Sequence, residues 1–334
     1  MRLGDKAKEV AMEHVKQKAA RDILNGIKEW RANRIATAKR RWIFELIQNA
    51  VDTAKARGKD DLKIKIKTGD NFVKFRHDGG YFALDEISAV IYGGSRKPYA
   101  PGSEYIGRFG TGFLVTHVVN RKVKVKGFAS EDGKQIYEFE IEIDRESDDE
   151  RDISKNIEKC FSQLNNAKLF SSSESTELHT EFTYTLTDDL GKEALEEGIE
   201  ELRNNIPFVL TFNEIIEEVV IDGEVFRKEV QKVNNSISKV IVNGRAVYIK
   251  EDDENGFQVA ILINNGAISN LKGYPKIFIG MPLIETADYI NIPFAINSVL
   301  FDWYCPKSCV NSLAIKLLWL ILLITSEFNK KEGG

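Results

Sequence analysis

The chain has 334 residues, 43% of them hydrophobic and 29% charged, with a formal net charge of −4. That length predicts two domains, because single cores rarely grow much beyond ~250–300 residues. The balance is that of an ordinary globular protein, and the acidic total argues against a general affinity for nucleic acid.

The first 41 residues are locally basic (Lys16, Lys18, Arg21, Arg31, Arg34, Lys39, Arg40, Arg41), which reads as a solvated helix face. Residues 5–57 carry a helical period with a break near Asn33, and Gly58 ends the second helix. "LKIKIK" (62–67) alternates strictly and "NFVKFR" (71–76) follows a turn, which predicts a hairpin. "DEISAVIY" is a short helix. "RKVKVKGFA" (121–129) and "QIYEFEIEI" (135–143) form a second hairpin around Asp132-Gly133. The charged run 144–152 reads as a loop or domain-edge insertion, and "ELHTEFTYTLT" (177–187) as a strand.

Beyond residue 205 strands dominate: a hairpin around Asp222-Gly223, then "SKVIVNGRAVYIK", "FQVAILIN" and "KIFIGMPL". We therefore expect a boundary between about 190 and 207, with a first domain over 1–200 and a β-rich second domain over 205–334. "LAIKLLWLILLI" (313–324) is shorter than the ~20 apolar residues of a bilayer span and is interrupted by Lys316. It is expected to be a buried terminal helix or a surface for a partner. The charged start lacks the apolar core of a secretory leader. Cys160, Cys305 and Cys309 make no disulfide framework, and no metal spacing appears among the histidines. A reducing, cytoplasmic setting is expected.

Chemistry concentrates in three places. In "FELIQNAVD", Glu45, Asn49 and Asp52 stand at i, i+4 and i+7 on one face of an otherwise apolar helix, which suits a cleft wall. A carboxamide oxygen is a hard, neutral ligand for Mg²⁺, and a carboxylate one turn earlier can orient and deprotonate a water. "FRHDGGYF" (75–82) ends a strand in an acid and two glycines, where a carboxylate can accept from an exocyclic amine and a flat base can approach the backbone. By itself "DGG" is a plain turn. "IGRFGTGFLVTHVV" (106–119) places Gly107, Gly110 and Gly112 at the mouth of a helix. That spacing is neither the dinucleotide fingerprint nor the P-loop, yet free N–H groups at a helix start favour an anion.

Taken in order, Glu-x-x-x-Asn, Asp-Gly and G-x-x-G-x-G resemble the GHKL (Bergerat-fold) ATPase superfamily. "IGRFGTGF" is similar to the corresponding box of the ninety-kilodalton heat-shock chaperones, and "ELIQNAVD" with "GGSRK" (93–97) to sacsin-type members. "KIFIGMPLIET…IPFAINSVLF" (276–301) is similar to the segment after the ATPase domain in sacsin-like proteins. The resemblance implies an α+β chain: a two-layer sandwich, its mostly antiparallel sheet covered by helices, then a smaller β-rich domain. It implies Mg²⁺ and ATP as cofactors, with Glu45 activating water and Asn49 ligating Mg²⁺ beside Asp52. Asp78 would read adenine with Gly80 beside it, and Thr180 in "HTEF" would support the adenine-reading acid. Lys97 would sit near the phosphates. Gly107, Arg108, Phe109, Gly110, Thr111, Gly112 and Phe113 would form the phosphate loop and lid hinge.

Two departures stand out. The second glycine of the family's D-x-G-x-G falls on Phe82, and the alternative alignment puts His77 in place of Asp78. No arginine follows Arg245 to reach the terminal phosphate, so the expectation is either a truncated tail or slow hydrolysis. The expected activity is a chaperone-like ATPase switch with an ATP-dependent homodimer or further partner domains. A non-hydrolysing nucleotide-binding module and a DNA-processing ATPase are the rival classes.

Overall fold

The computed structural model describes residues 2–94, 112–170, 178–234, 236–252, 256–264, 267–289 and 292–298. Two helices open the chain, α1 (Leu3–Lys28) and α2 (Ile35–Ala56), joined by a π-helical turn, Glu29–Asn33, that makes the expected break. Strands β1 (Leu62–Gly69), β2 (Phe72–His77) and β3 (Phe82–Ala83) follow, then α3 (Leu84–Tyr92) and the single turn α4 (Gly112–Val115). Next come β4 (Lys122–Ser130), β5 (Tyr137–Asp144), α5 (Glu150–Leu164), β6 (Lys168–Leu169), β7 (Thr180–Thr185) and α6 (Asp189–Phe212). The remainder is β8 (Ile216–Ile221), β9 (Glu224–Lys232), β10 (Ile237–Val242), β11 (Arg245–Asp252), β12 (Phe257–Asn264), β13 (Ala267–Ile268), β14 (Ile277–Ile279), β15 (Met281–Pro282), α7 (Thr286–Tyr289) and β16 (Ala295–Asn297).

The described residues form two compact units, the first holding residues up to 200 together with 219–224, the second the rest. In the first, strands run in the order β1-β2-β7-β4-β5-β6; these neighbours are antiparallel, and β3 lies parallel to β4. Alternation decides the layering. Leu62, Ile64 and Ile66 are buried while Lys65 and Lys67 are exposed, and β2 and β4 repeat the pattern. One sheet face is thus packed and the other wet. The packed face meets α2, whose Trp42, Ile43, Leu46, Ile47, Ala50 and Val51 are withdrawn from solvent. Trp42 donates to Ala194 O at 2.8 Å, and a Cβ on Gly198 would fall on its indole, so only glycine lets α6 come so near. This is the α+β two-layer sandwich expected from sequence.

One expectation needs correcting. The charged run 144–152 is not all loop: Asp149 caps α5 by accepting from Arg151 N at 2.7 Å. The helix runs from Glu150, burying Ile153, Ile157 and Cys160 on one stripe. α6 runs unbroken through 190–207 and past Pro207, and the two compact units divide within it, after residue 200.

In the second unit, described alone, strands run β15-β14-β16-β12-β11-β10-β9. Asn243 and Gly244 take φ of 46° and 79° in the β10–β11 turn, the left-handed pair of a type I′ hairpin. Its core gathers Ile237, Phe257, Val259, Ile261, Phe294 and Ile296. Lys228 caps the end of α6 by donating to Asn213 O (2.9 Å) and Glu214 O (2.7 Å), and burial pushes its ammonium down to about 8. Cys305, Cys309 and the apolar segment 313–324 lie outside the described residues.

Candidate functional site

The α2 row comes first because α2 is the most deeply packed helix of the unit. Its polar stripe is not solvated: Glu45 is 7% exposed, Asp52 3%, and Asn49 is half-buried between them. Isolated buried polar groups are costly, so each should have a partner or a purpose. Among the described residues, Glu45 is held on one side only. Arg41, one turn earlier, donates from Nε (2.8 Å) and pairs through Nη2 (2.7 Å), both at Oε1. Oε2 projects toward Gly112, where a Cβ would collide with it. Gly112, the last glycine of the loop motif, is therefore required by the carboxylate that the sequence nominates as a base. The side-chain carboxamide of Asn49 makes no hydrogen bond among the described residues, while its backbone carbonyl accepts from Thr53 Oγ1 at 2.8 Å. A neutral oxygen donor between two carboxylates fits a Mg²⁺ that keeps most of its ligands as water and phosphate. No cluster of three His, Cys, Asp or Glu that could hold a metal alone exists among the described residues.

The end of β2 supplies the second part. Asp78 is buried, and its Oδ1 accepts from Lys63 N at 2.7 Å while Oδ2 lies 3.5 Å from Lys59 Nζ. Gly79 presses against α2, where a Cβ would come 3.0 Å from Ala50 O and 3.3 Å from Ala54 N. Gly80 takes φ +106° over the stem of Arg57, whose Nε donates to Tyr81 O at 3.0 Å. His77 is also buried, with Thr180 of β7 directly opposite it in register.

The third part is only partly described. Lys97, Gly107, Arg108, Phe109, Gly110 and Thr111 lie outside the described residues. Gly112 begins α4, and Phe113 is a core residue, its ring 5.8 Å from Phe182 and 5.6 Å from His117. The structure thus brings Glu45 to Gly112, sets Gly79 against the turn that follows Asn49, and pairs His77 with Thr180. Sequence reasoning missed Arg41 as the group that orients Glu45; its signal was the i,i+4 spacing. Nothing local could have revealed Arg145, which crosses the core to reach His117.

No family model and no curated protein matches the chain. Among solved structures it is similar to the ATPase region of Saccharomyces cerevisiae topoisomerase II, at 14% identity over 64% of this chain and 57% of that one, with a TM-score of 0.37. The same region bound to ICRF-187 (dexrazoxane) gives 13%, 64%, 58% and 0.35. The ATPase and transducer domains of DNA topoisomerase II from Balamuthia mandrillaris give 12%, 65%, 57% and 0.38. The chain therefore spans well under two thirds of each of these structures. A likeness this distant assigns no residue and no substrate.

Proposed function

We propose that the first unit, within a domain spanning residues 1–200, binds Mg·ATP and hydrolyses it slowly as a GHKL-type module. One observation carries the reading: Glu45, Asn49 and Asp52 form a polar row on a helix packed on its other sides, and the carboxamide of Asn49 has no partner among the described residues. Bound Mg²⁺ would supply charge neutralisation across the phosphates. Asn49 would hold the ion. Glu45, pinned at Oε1 by Arg41, would present Oε2 to a water and accept its proton. Gly112 would keep that oxygen accessible.

The wider role we assign is a chaperone-like switch in the cytoplasm, in which nucleotide state governs self-association. Its support is the likeness of "ELIQNAVD" and "IGRFGTGF" to the heat-shock and sacsin-type boxes. The second domain, 205–334, would then relay the nucleotide state. Light scattering with and without a non-hydrolysable ATP analogue tests the switch; a strict monomer in both would exclude it. Salt-dependent DNA binding would move the chain to the DNA-processing class instead.

The core reading is tested by separating affinity from turnover. Glu45→Ala should keep Mg·ATP affinity within a few fold while hydrolysis falls roughly 10²–10⁴-fold, the usual worth of a positioned base. Asn49→Ala should lose both. Undiminished hydrolysis in Glu45→Ala would show that Glu45 is not the base, and binding without hydrolysis in the wild type would make the chain a nucleotide-binding module.

A further inference from the structure

The outer face of the first unit's sheet carries cations on two pairs of strands, and the two pairs treat them differently. On β4 and β5 each lysine has an acid beside it. Lys122 stands opposite Asp144, Lys124 opposite Glu142 and Lys126 opposite Glu140. Lys122 pairs with Asp144 at 3.0 Å, and Lys124 and Lys126 both reach Glu140 at 2.8 Å. β5 achieves this as an extended strand whose alternate residues, Glu138, Glu140, Glu142 and Asp144, are acidic.

On β1 and β2 cation faces cation. Lys65 is directly opposite Arg76, and Lys67 is opposite Lys74. They alternate with the buried Ile64, Ile66, Val73 and Phe75, so they share the outer face. Glu181, which β7 brings opposite Arg76, pairs with Lys74 instead, at 3.2 Å. Lys65, Lys67 and Arg76 are exposed, and their side chains have no partner among the described residues. Like charges directly opposite one another destabilise a strand pair. A merely solvated face would have no reason to keep them, when β4 shows in the same sheet how such a lattice is neutralised.

The lattice also says what fits it. Residues two apart on a strand lie roughly 7 Å apart, and opposed side chains about 5 Å. An extended acidic chain repeats its alternate carboxylates at the same interval, as β5 does beside β4. β2 has a strand on each side, so a partner there crosses the face and meets the cations through side chains. Duplex DNA presents a phosphate every ~1.7 Å of axis, far denser than this lattice. Single-stranded nucleic acid is held on free aromatic faces. Phe72, the aromatic of this face, is laid over Gly69, where a Cβ would collide with its ring.

The geometry points to the outer face of β1 and β2 as a docking surface for an extended acidic polypeptide with carboxylates at alternate positions. The surface is independent of the nucleotide reading, since α2 packs on the opposite face of the sheet.

The test is fluorescence anisotropy of the full chain, without nucleotide, against three labelled probes. One is a peptide of alternating Glu and Ser, one a peptide of the same composition with its Glu residues in a single block, and one an oligothymidylate of matched charge. We expect the alternating peptide to bind tightest and to weaken as salt is raised. Lys67→Gln combined with Arg76→Gln should weaken it roughly tenfold. Melting should be unchanged or higher in that variant, because it relieves two like-charge pairs. Lys124→Gln combined with Lys126→Gln removes as much charge from the neutralised half and should stay within about twofold. Equal losses in the two double variants would reduce the effect to general charge and overturn the inference. So would a block peptide or an oligothymidylate bound as tightly as the alternating peptide, or no binding of the alternating peptide at low salt.

Discussion

His77 and His117 are both buried and both neutral, yet one is finished and the other is not. His117 Nε2 accepts from Arg145 Nη1 at 2.7 Å, which leaves its Nδ1–H to donate to Asn120 O at 3.1 Å. Around it the accounts close: Arg145 Nη2 donates to Val90 O (2.8 Å) and Ile91 O (3.2 Å), and Arg31 Nη1 to His117 O (3.0 Å). Tyr184 OH donates to Thr116 Oγ1, which in turn donates to Phe113 O. Among the described residues, His77 is satisfied at one nitrogen only, and faces a threonine whose hydroxyl has no partner. Burial alone does not mark a structural ring; burial with a complete set of partners does.

The largest effect should come from the closed network. Arg145 is 1% exposed and meets no carboxylate among the described residues; burial pushes it down to about 10. Arg145→Leu would orphan His117 Nε2 and take the arginine from the carbonyls of Val90 and Ile91, of which Val90 O keeps Gly93 N at 3.3 Å. At ~1–3 kcal/mol for each buried unsatisfied group, we expect a loss of roughly 3 kcal/mol or more by chemical denaturation. A shift below about 1 kcal/mol would mean that water replaces the arginine and that the network is not closed.

Acid should act next. Desolvation lowers both histidines, with His179 adding at His77 and Arg145 at His117. The folded values lie below the unfolded ~6.5, so the unfolded chain binds more protons under that pH. Their contribution is fully present above about 6.5 and is lost as pH falls toward the folded values. The slope approaches about 1.4 kcal/mol per pH unit for each. A flat stability profile between pH 7 and 5 would show that the two sites are wetter than their exposure implies.

A smaller effect, on rate rather than stability, belongs to the open site. Gly112→Ala would push its Cβ into Glu45 Oε2. We expect the fold to survive and hydrolysis to drop ~10–100-fold, since displacing a catalytic group by about 1 Å can cost 10²-fold. Full activity would place the reacting water away from Oε2.

What the sequence made legible follows the range of the interactions. Hairpins carried their own turn chemistry, as at Asp132-Gly133, where Gly133 takes φ +74°. The α2 row was readable because one helix supplies all three residues. α5 was hidden by its charge: Ile153, Ile157 and Cys160 keep a helical period, but the preceding acids read as loop. α6 was lost where its composition shifts, although its ladder runs on past Pro207. The pairing of His77 with Thr180 depends on a cross-strand register with β7, far along the chain. No local pattern encodes that register.

The smallest expected effect tests the other side of the comparison, where partners exist but water competes. Lys39, from the basic N-terminal run, reaches Glu193 at 2.5 Å and Glu197 at 3.2 Å on α6, and those hydrogen bonds raise its ammonium above the usual lysine value. Its own head is mostly covered, but both carboxylates are about half exposed, so the attraction is screened. Exposed pairs of this kind contribute ~0–1 kcal/mol. Lys39→Met keeps the apolar stem and removes the charge. We expect a stability change within about 1 kcal/mol, shrinking as salt is raised, and unchanged Mg·ATP affinity. A large loss of nucleotide binding in Lys39→Met would assign the basic face to the ligand. Satisfied partners would then no longer mark structure.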